Sequence, residues 1–488
     1  MRILLILLGF AISLGPRAMA QTLPDLGDGA GGIVPPLIER KIGESIVREI
    51  RARDPSYLDD REVTDYLTDL GGRLTAAIPG GHQEFEFFVI RDSSINAFAL
   101  PGGFIGVHTG LLLASDSESE VASVLAHEMA HVTQRHIVRM LSAQQQMQLP
   151  AMIAMAAALL LGRSHPDVVQ AAAMAAQGVA VQAQLGYSRD YEREADRIGF
   201  QTLASAGFDT HAMAAFFEKM QRYTRIYDDS RIPGYLRTHP VTTERIADAQ
   251  ARTGNRQYRQ HLDSLEYHLV RAKLRAESGD PRDAVTHFTT ILQDRRFANE
   301  PSTRYGLAAA LVRAQRPREA LAELDRLRTV GVTDPMFATL TAQVRKALGD
   351  ADGALAALKE GFTRWPHRRA LVYAYGEALN QAGRHGEALA HLNEQLRLYP
   401  RDANLHEMRA KTYAALGRRL QQHQAQAEVY ILRGSLPSAI EQLQLAQTAG
   451  DGDFYELSAV DARLKELKAE HAREVKESRR RYAPDGHG

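Results

Sequence analysis

The sequence predicts a mainly α-helical protein, in which an α+β domain with a small sheet is followed by an α-solenoid of helix pairs. Three observations support this prediction: short strand-forming segments between residues 84 and 107, helical patterns on both sides of them, and a motif that recurs about every 34 residues after residue 264. The chain has 488 residues, enough for two or three domains.

Composition and charge exclude several classes of protein. Hydrophobic residues make up 44% of the chain and charged residues 24%, which is typical of globular proteins and excludes wholesale disorder. Basic and acidic residues are equal, at 59 each, so we expect no nucleic-acid partner. The sequence contains no cysteine. Any metal must therefore be held by histidines and carboxylates.

The N-terminus has the pattern of an export signal. Arg2 precedes an apolar run over residues 3–14, and residues 18–20 read Ala-Met-Ala, a typical cleavage site. We therefore predict a signal peptide over residues 1–20, cleaved after Ala20, and a periplasmic location if the source is a Gram-negative bacterium. An uncleaved anchor is the alternative, although the run is too short to span a bilayer.

The first folded domain is predicted over residues 36–263, after a glycine-rich flexible segment at 21–35. Its expected elements are helices over Pro36–Arg51 and Asp60–Ala77, strands over Glu84–Ile90, Asn96–Leu100 and Phe104–Val107, and mostly helices from Ser117 onward.

The second domain is predicted over residues 264–465 from an internal repeat. Alanines in four similar motifs, Ala284, Ala320, Ala354 and Ala388, are 36, 34 and 34 residues apart. This is the period of tetratricopeptide repeats, in which alanine lies where two helices cross closely. A fifth motif ends at Ala439, after an irregular glutamine-rich segment. Residues 466–488 are expected to form a basic tail.

A motif of the form H-E-x-x-H predicts a zinc site. His127 and His131 are four residues apart, so both project from one face of a helix and can bind one Zn²⁺. Glu128 lies beside them and can accept a proton from the attacking water. Two overlapping capping boxes before the motif, Ser115 with Glu118 and Ser117 with Glu120, favour a helix here. A chance match on a surface helix is the alternative.

A catalytic zinc takes a third protein ligand. Glu192 can complete the set, and Asp196, one helical turn later, can accept the free ring N–H of a zinc-bound histidine. The alternative is a solvated charged face, and that is our interpretation of Arg193 and Glu194.

The combined motifs resemble the HtpX/Oma-type zinc metallopeptidases. The resemblance rests on His127-Glu128-x-x-His131, Glu192-x-x-x-Asp196 and the segment Asn96–Gly103, and it extends over the whole mature chain. It implies one zinc ion held by His127, His131 and Glu192, with Glu128 as general base and Asp196 in support. The sequence lacks the transmembrane helices of the HtpX branch and the cysteine pair of enterobacterial relatives.

For an exported chain with repeats, the resemblance implies a metalloendopeptidase in quality control and assembly of outer-membrane β-barrel proteins. It would degrade misfolded or stalled substrates, whose backbone we expect to pair along an edge strand at Asn96, Ala97 and Phe98. The repeats would bind the outer-membrane assembly machinery, and peripheral membrane contact is compatible with this. The alternative is a chaperone-like scaffold with a latent protease domain.

His239 matches a histidine that in such proteins can approach the zinc. As a fourth ligand it would keep the enzyme latent, and beside the metal it would stabilise the transition state. A third interpretation is a turn that starts a helix at Pro240. His136, five residues after His131, is expected to point away from the site and lie on the surface.

The stretch Leu149–Gly162 is apolar on all sides. A lid or a contact surface for unfolded substrate is one interpretation, and a buried core helix is equally compatible with it. The sequence leaves the physiological substrates and the oligomeric state open.

Overall fold

The computed structural model describes residues 34–80, 83–143, 189–226, 234–254 and 261–482. The predicted signal peptide, most of the segment at 21–35, the apolar stretch 149–162 and the last six residues of the tail lie outside the described residues. Within the described ranges, none of the helices combines the length and the apolar character needed to cross a membrane.

The first part of the chain contains a small sheet among helices, as predicted. In chain order its elements are α1 Pro36–Arg53, β1 Tyr57–Leu58, α2 Arg61–Thr75, β2 Glu86–Ile90, β3 Ala97–Leu100, β4 Phe104–His108, α3 Thr109–Ala114, α4 Glu118–Thr133, α5 His136–Ala143, α6 Arg189–Ser205, α7 His211–Ile226, α8 Gly234–Thr238 and α9 Thr243–Gly254. The predicted strands form, with bounds that shift by one or two residues.

The sheet has the strand order β1-β2-β4-β3. Strands β2 and β4 are parallel, with Phe88 opposite Gly106, whereas β3 pairs antiparallel with β4, with Phe98 opposite Gly106. Among the described strands β3 is therefore an edge. Helix α4 contacts β3 and is buried along most of its length.

At the start of helix α4, with Ser117 as the N-cap, only the serine half of the predicted capping box forms, because the Glu120 carboxylate accepts a hydrogen bond from the backbone N–H of Asp116 at 2.9 Å. The Ser117 hydroxyl accepts a hydrogen bond from the backbone N–H of Glu120 at 3.2 Å. The Ser115 hydroxyl instead donates to the carbonyl of Leu111 at 2.8 Å. The cap at Ser117 satisfies an N–H that the first turn of a helix otherwise leaves unpaired, and it sets the start of the helix that carries the H-E-x-x-H motif.

The second part of the chain consists of consecutive helices. They are α10 Leu265–Glu277, α11 Pro281–Gln293, α12 Glu300–Arg313, α13 Pro317–Thr329, α14 Pro335–Ala347, α15 Ala351–Arg364, α16 Arg369–Gln381, α17 His385–Leu398, α18 Ala403–Ala415, α19 Arg419–Leu432, α20 Leu436–Gln447 and α21 Phe454–Tyr482. The prediction of an α+β domain followed by an α-solenoid is confirmed.

The repeated motif forms the turn within each pair of helices. Gly279, Gly349 and Gly383 have φ of 65°, 80° and 71°, in the left-handed region where glycine carries no steric penalty. Gln315 occupies the equivalent place in the second repeat at φ 60°. The repeated alanines that follow these turns are buried, as expected where two helices cross closely.

Helix α2 joins the two parts of the chain. The Lys273 ammonium in α10 lies 2.5 Å from Asp60 and 2.6 Å from Glu62, at the start of α2. Glu62 also accepts a hydrogen bond from Thr339 in α14. One hydrophobic core extends from Leu58 to residues of α14. The predicted boundary at residue 264 therefore lies inside a continuous core.

The contact with α2 extends to the fourth helix pair. Asp65 accepts a hydrogen bond from the backbone N–H of Ala370 at 3.3 Å, in the first turn of α16. The N-cap residue of that helix, Arg368, provides no side-chain cap, and its guanidinium lies 2.7 Å from Asp69 and binds Glu266 at 2.9 and 3.1 Å. The Asp65 side chain of α2 thus caps a helix of the repeats.

Candidate metal centre

Four buried side chains from three parts of the chain converge beside β3. His127 and His131 come from α4, Glu192 from α6, and His239 from the turn after α8. One ligand atom of each residue lies within 4.8 Å of all the others. The Nε2 atoms of His127 and His131 are 3.0 Å apart, so both rings turn the same nitrogen toward the cluster.

A close helix crossing brings Glu192 to the histidines. Helices α4 and α6 approach each other at Gly199, where an added Cβ would lie 3.0 Å from the backbone nitrogen of His127. Glycine permits this approach because it has no side chain there. Glu192 Oε2 then lies 3.5 Å from His127 Nε2, and Glu192 Oε1 lies 3.4 Å from His131 Nε2.

Asp196 lies behind the first histidine. Its Oδ1 atom is 3.0 Å from Nδ1 of His127, the nitrogen that faces away from the cluster. A carboxylate in this position fixes the ring orientation and the tautomer of a metal-binding histidine.

Arg245, which belongs to none of the sequence motifs, binds two of these carboxylates. Its guanidinium contacts Asp196 at 2.7 and 2.8 Å and Glu192 at 2.8 Å. The Arg245 side chain is buried. Its guanidinium also donates a hydrogen bond to the carbonyl of Pro240, and this contact joins α9 to the turn that carries His239. Its spacing from the motif is not characteristic, so sequence patterns gave no means of finding it.

The prediction that His136 lies on the surface was wrong. The residue is fully buried, and its Nδ1 lies 2.8 Å from Nδ1 of His131. The expectation assumed one continuous helix, but α4 ends at Thr133 and Arg135 has a φ of 53°. This left-handed residue interrupts the helix, and the changed path of the chain places His136 at the site.

The interpretation of Glu194 as a solvated residue was also wrong. Its carboxylate lies 3.1 Å from Nε2 of His136 and 2.9 Å from the guanidinium of Arg139. Arg193 is largely exposed, as expected, and pairs with Glu244. The suggested helix start at Pro240 was wrong as well, because α9 begins at Thr243.

Glu128 is fully buried, and neither carboxylate oxygen has a hydrogen-bond partner among the described residues. Its nearest imidazole nitrogen is Nε2 of His239, at 3.4 Å. Burial raises the pKa of Glu128, and the neighbouring His239 and His127 act against this rise. A buried carboxylate that lacks a partner is costly, so this position favours a nearby cation or a water molecule.

Burial and neighbouring charges shift the pKa values of the other cluster members in different directions. Burial tends to lower the pKa of His127, but Asp196 and Glu192 raise it to about 9. Burial holds the pKa of His131 well below its usual value. Burial also tends to raise the pKa of Glu192, but His239, His127 and His131 hold it well below the usual range.

The donor set fits a zinc ion. Two imidazoles and a carboxylate are a known catalytic zinc set. Here they converge in a buried site where Glu128 lacks a hydrogen-bond partner and the surrounding charges favour ionised Glu192.

The predicted substrate edge lies beside this cluster. The carbonyl of Asn96 accepts a hydrogen bond from the backbone N–H of His108 at 3.0 Å. Because bonding residues alternate along an antiparallel strand, the backbone groups of Ala97 and Ala99 face away from β4. Ala99 is also near enough to Glu128 for its backbone to lower the pKa of that carboxylate.

Two family matches agree with this division of the molecule. Residues 62–253 match the family described as Peptidase family M48, and residues 275–344 and 346–412 match the tetratricopeptide repeat. The fold, the H-E-x-x-H helix and these matches define a metalloendopeptidase with a solenoid of tetratricopeptide repeats.

Similarity to individual proteins identifies the family within this class of metalloendopeptidases. The chain is 31% identical over 452 residues to the beta-barrel assembly-enhancing protease of Escherichia coli K12. The aligned residues cover 92% of each protein. It is 39% identical over 292 residues to the putative beta-barrel assembly-enhancing protease of Vibrio cholerae, covering 59% of each. The chain therefore belongs to the β-barrel assembly-enhancing protease family.

A more distant similarity is confined to part of the chain. The mitochondrial metalloendopeptidase OMA1 of Arabidopsis thaliana is 29% identical over 227 residues, which cover 46% of this chain and 44% of that protein. The resemblance inferred from the sequence motifs, to HtpX/Oma-type metallopeptidases, is confirmed.

Proposed function

We propose that the protein is a zinc metalloendopeptidase of the periplasm that acts in the assembly of outer-membrane β-barrel proteins and degrades those that misfold or stall. The observation that supports it best is the buried convergence of His127, His131 and Glu192 beside Glu128. The names of the relatives support the substrate class. The export signal predicted over residues 1–20 supports the location.

In this proposal His127, His131 and Glu192 hold one zinc ion. A zinc ion bound there would act as a Lewis acid on the scissile carbonyl and on water. Asp196 orients the ring of His127 from behind, through the 3.0 Å contact at Nδ1. Arg245 keeps Asp196 and Glu192 ionised and in place, since it lies within 2.8 Å of both carboxylates.

Glu128 supplies the proton transfer. Its carboxylate accepts a proton from the attacking water and then delivers it to the nitrogen of the departing amine. Burial raises the pKa of this group, which suits a residue that must both accept and release a proton near neutral pH.

Strand β3 holds the substrate backbone. The outward N–H and C=O groups of Ala97 and Ala99 would pair with an extended segment of an unfolded chain. This pairing depends little on side chains, so it suits an enzyme that acts on many misfolded sequences. Asn96, Ala97 and Phe98 remain the predicted edge, and Ala99 extends it toward Glu128.

His239 restrains the resting enzyme in this proposal. Its Nδ1 lies 2.9 Å from Glu192 and its Nε2 lies 3.4 Å from Glu128, and Tyr235 stacks on the ring at 4.8 Å. As a fourth metal ligand it would take the position that water needs. Stabilisation of the transition state is the alternative role for the same position.

The repeats serve as the docking part of the molecule. We assign residues 264–465 to the binding of the outer-membrane assembly machinery and unfolded substrates, with a chaperone-like role. The second candidate is a scaffold whose protease domain stays silent, and the proximity of His239 to Glu128 favours it.

Cleavage of a loosely folded protein separates these candidates. We expect the wild-type protein to cleave reduced, unfolded casein and Glu128→Gln to leave it intact while retaining zinc. Glu218→Gln is the matched control, because this glutamate lies away from the site and pairs with Gln250. Equal cleavage by wild type and Glu128→Gln would contradict the proposed base.

A further inference from the structure

The second ligand histidine has a partner behind it, as the first one does. His131 turns Nε2 toward the cluster, 3.4 Å from Glu192, and its Nδ1 lies 2.8 Å from Nδ1 of His136. The other ring nitrogen of His136, Nε2, lies 3.1 Å from Glu194. The contacts form a chain from Glu194 through His136 to His131.

A specific break in the helix creates this contact. In a continuous helix His136 would point about 140° away from His131 around the axis. The left-handed residue Arg135, with φ of 53°, interrupts the helix between Thr133 and His136. Such a conformation is unfavourable for a residue with a side chain. It is held by the Arg135 guanidinium, which donates to Glu39 in α1 at 2.8 Å.

The ring of His136 is fixed on several sides. Tyr191 stacks on it at 4.7 Å with an interplanar angle of 17°. Arg139 lies over the Tyr191 ring, 4.7 Å from its centroid. Arg139 also binds Glu194 at 2.9 Å. His136 itself is fully buried, so water does not compete for its nitrogens.

The structure assigns His136 a positioning role: together with Glu194 it fixes the tautomer and the ring orientation of His131. The proton positions follow from the contacts. His131 needs a lone pair on Nε2 to bind a metal, so its proton is on Nδ1. That N–H donates to Nδ1 of His136, and Nε2–H of His136 donates to Glu194. This inference rests on the proposed zinc site.

The arrangement gives each ligand histidine its own carboxylate. Asp196 contacts His127 directly, whereas Glu194 acts on His131 through a neutral imidazole. Such partners typically change metal affinity or activity by about 10- to 100-fold when they are removed. Because His136 contacts the cluster only at Nδ1 of His131, on the side of that ring away from the other ligands, it is a positioning residue and not a ligand.

The experiment removes the hydrogen-bonding nitrogens of His136 and keeps an aromatic ring at this position. His136→Phe preserves an aromatic ring that can stack on Tyr191 and removes both nitrogens. We expect zinc affinity, measured by chelator competition on the full chain, to fall by about 10- to 100-fold. In the cobalt-loaded protein we expect the visible absorption bands to shift. His211→Phe is the control, since that exposed histidine pairs with Asp209 far from the cluster.

A second variant covers the case in which His136→Phe fails to fold. Glu194→Gln keeps the shape and offers an amide oxygen to His136, so we expect an intermediate loss of affinity. Long-range nitrogen–proton NMR of the zinc-loaded wild type should show the His131 proton on Nδ1. A proton on Nε2, or unchanged affinity and cobalt spectrum in both variants, would overturn the inference.

The outcome also separates this inference from the proposed function. If the wild type binds no zinc, or His127→Ala binds it equally well, the proposed site itself is wrong and the inference fails with it. If the wild type binds one zinc ion and His136→Phe binds it as tightly, only the role of His136 is refuted.

Discussion

Arg245 and Asp196 form a buried, two-pronged ion pair, with contacts of 2.7 and 2.8 Å, directly behind the metal-ligand cluster. The positive charge of Arg245 reduces the repulsion between Asp196 and Glu192, the two buried carboxylates of α6. A bidentate arginine–carboxylate pair is also geometrically specific. It therefore fixes the position of Asp196 relative to His127.

Arg245→Met should destabilise the metal-free protein strongly. Removing one partner of a buried ion pair typically costs about 3–5 kcal/mol, because the other charge remains buried. Zinc would offset part of this loss by neutralising Glu192. We therefore expect zinc to raise the melting temperature of the variant by more than it raises that of the wild type. Arg193→Met is the matched surface control, and equal zinc-induced shifts would contradict the argument.

The ligand assignment predicts different metal contents for three variants. His127→Ala and Glu192→Ala should lose zinc, because each removes one of three proposed ligands. Glu128→Gln should keep zinc and lose peptidase activity, since it removes only the base. Metal analysis of purified protein checks this. Equal metal loss in all three variants would show that the roles are wrongly assigned.

His239→Ala distinguishes latency from catalysis. If the histidine blocks the resting site, cleavage of unfolded casein should increase while zinc is retained. If it stabilises the transition state, turnover should fall by about 10²-fold or more. Comparison of kcat at equal zinc content decides between these outcomes. We expect the increase, and sharply reduced turnover with unchanged zinc would refute latency.

The junction between α2 and the repeats should respond to pH. Burial raises the pKa of Glu266 to about 7 and that of Asp65 to about 6. In the folded state these groups therefore hold protons that the unfolded chain releases, and their contribution to stability decreases as pH rises from about 4.5 to 7.

Glu266→Gln should make the melting temperature less dependent on pH across this window. The measurement is the difference in melting temperature between pH 5 and pH 8, with Glu218→Gln as control. An unchanged difference in Glu266→Gln would show that Glu266 is not the titrating group.

A chain that ends at residue 263 tests the predicted boundary. Residues 36–263 remain our prediction for an independent domain. However, Tyr267 in α10 donates a hydrogen bond to the carbonyl of Ser115 at 3.0 Å and belongs to the shared core. We expect the shortened chain to bind zinc and to melt at a lower temperature than a chain that ends at residue 348. Loss of zinc from soluble, folded protein would place the boundary further along the chain.

Periodic features were predictable from the sequence. The helix that carries the H-E-x-x-H motif and the 34-residue repeat both follow from local spacing, so they required no knowledge of the tertiary structure. Residue type made Glu192 a possible third ligand, and the family resemblance then implied its pairing with that motif, because no local rule joins two helices so distant in the sequence.

Features that depend on a break or on packing were not predictable. His136 was misplaced because the helix ends at Thr133, and only the left-handed Arg135 reveals this. The prediction that Glu194 is solvated was wrong for the same reason, since its contacts depend on the position of His136. Arg245 lies outside every motif, and its function exists only once α6 and α9 are packed together.

Three carboxylates of a single helix reach the histidines of the site, so these contacts all depend on the packing of that one helix. Glu192, Glu194 and Asp196 are spaced two residues apart on α6. Glu192 contacts His127 and His131 of α4, Asp196 contacts His127, and Glu194 contacts His136 of α5. Any displacement of α6 along α4 would release all three at once. Zinc retention therefore shows whether α6 is packed against α4. The rate at which a chelator removes zinc from the native protein would measure how often α6 separates from α4.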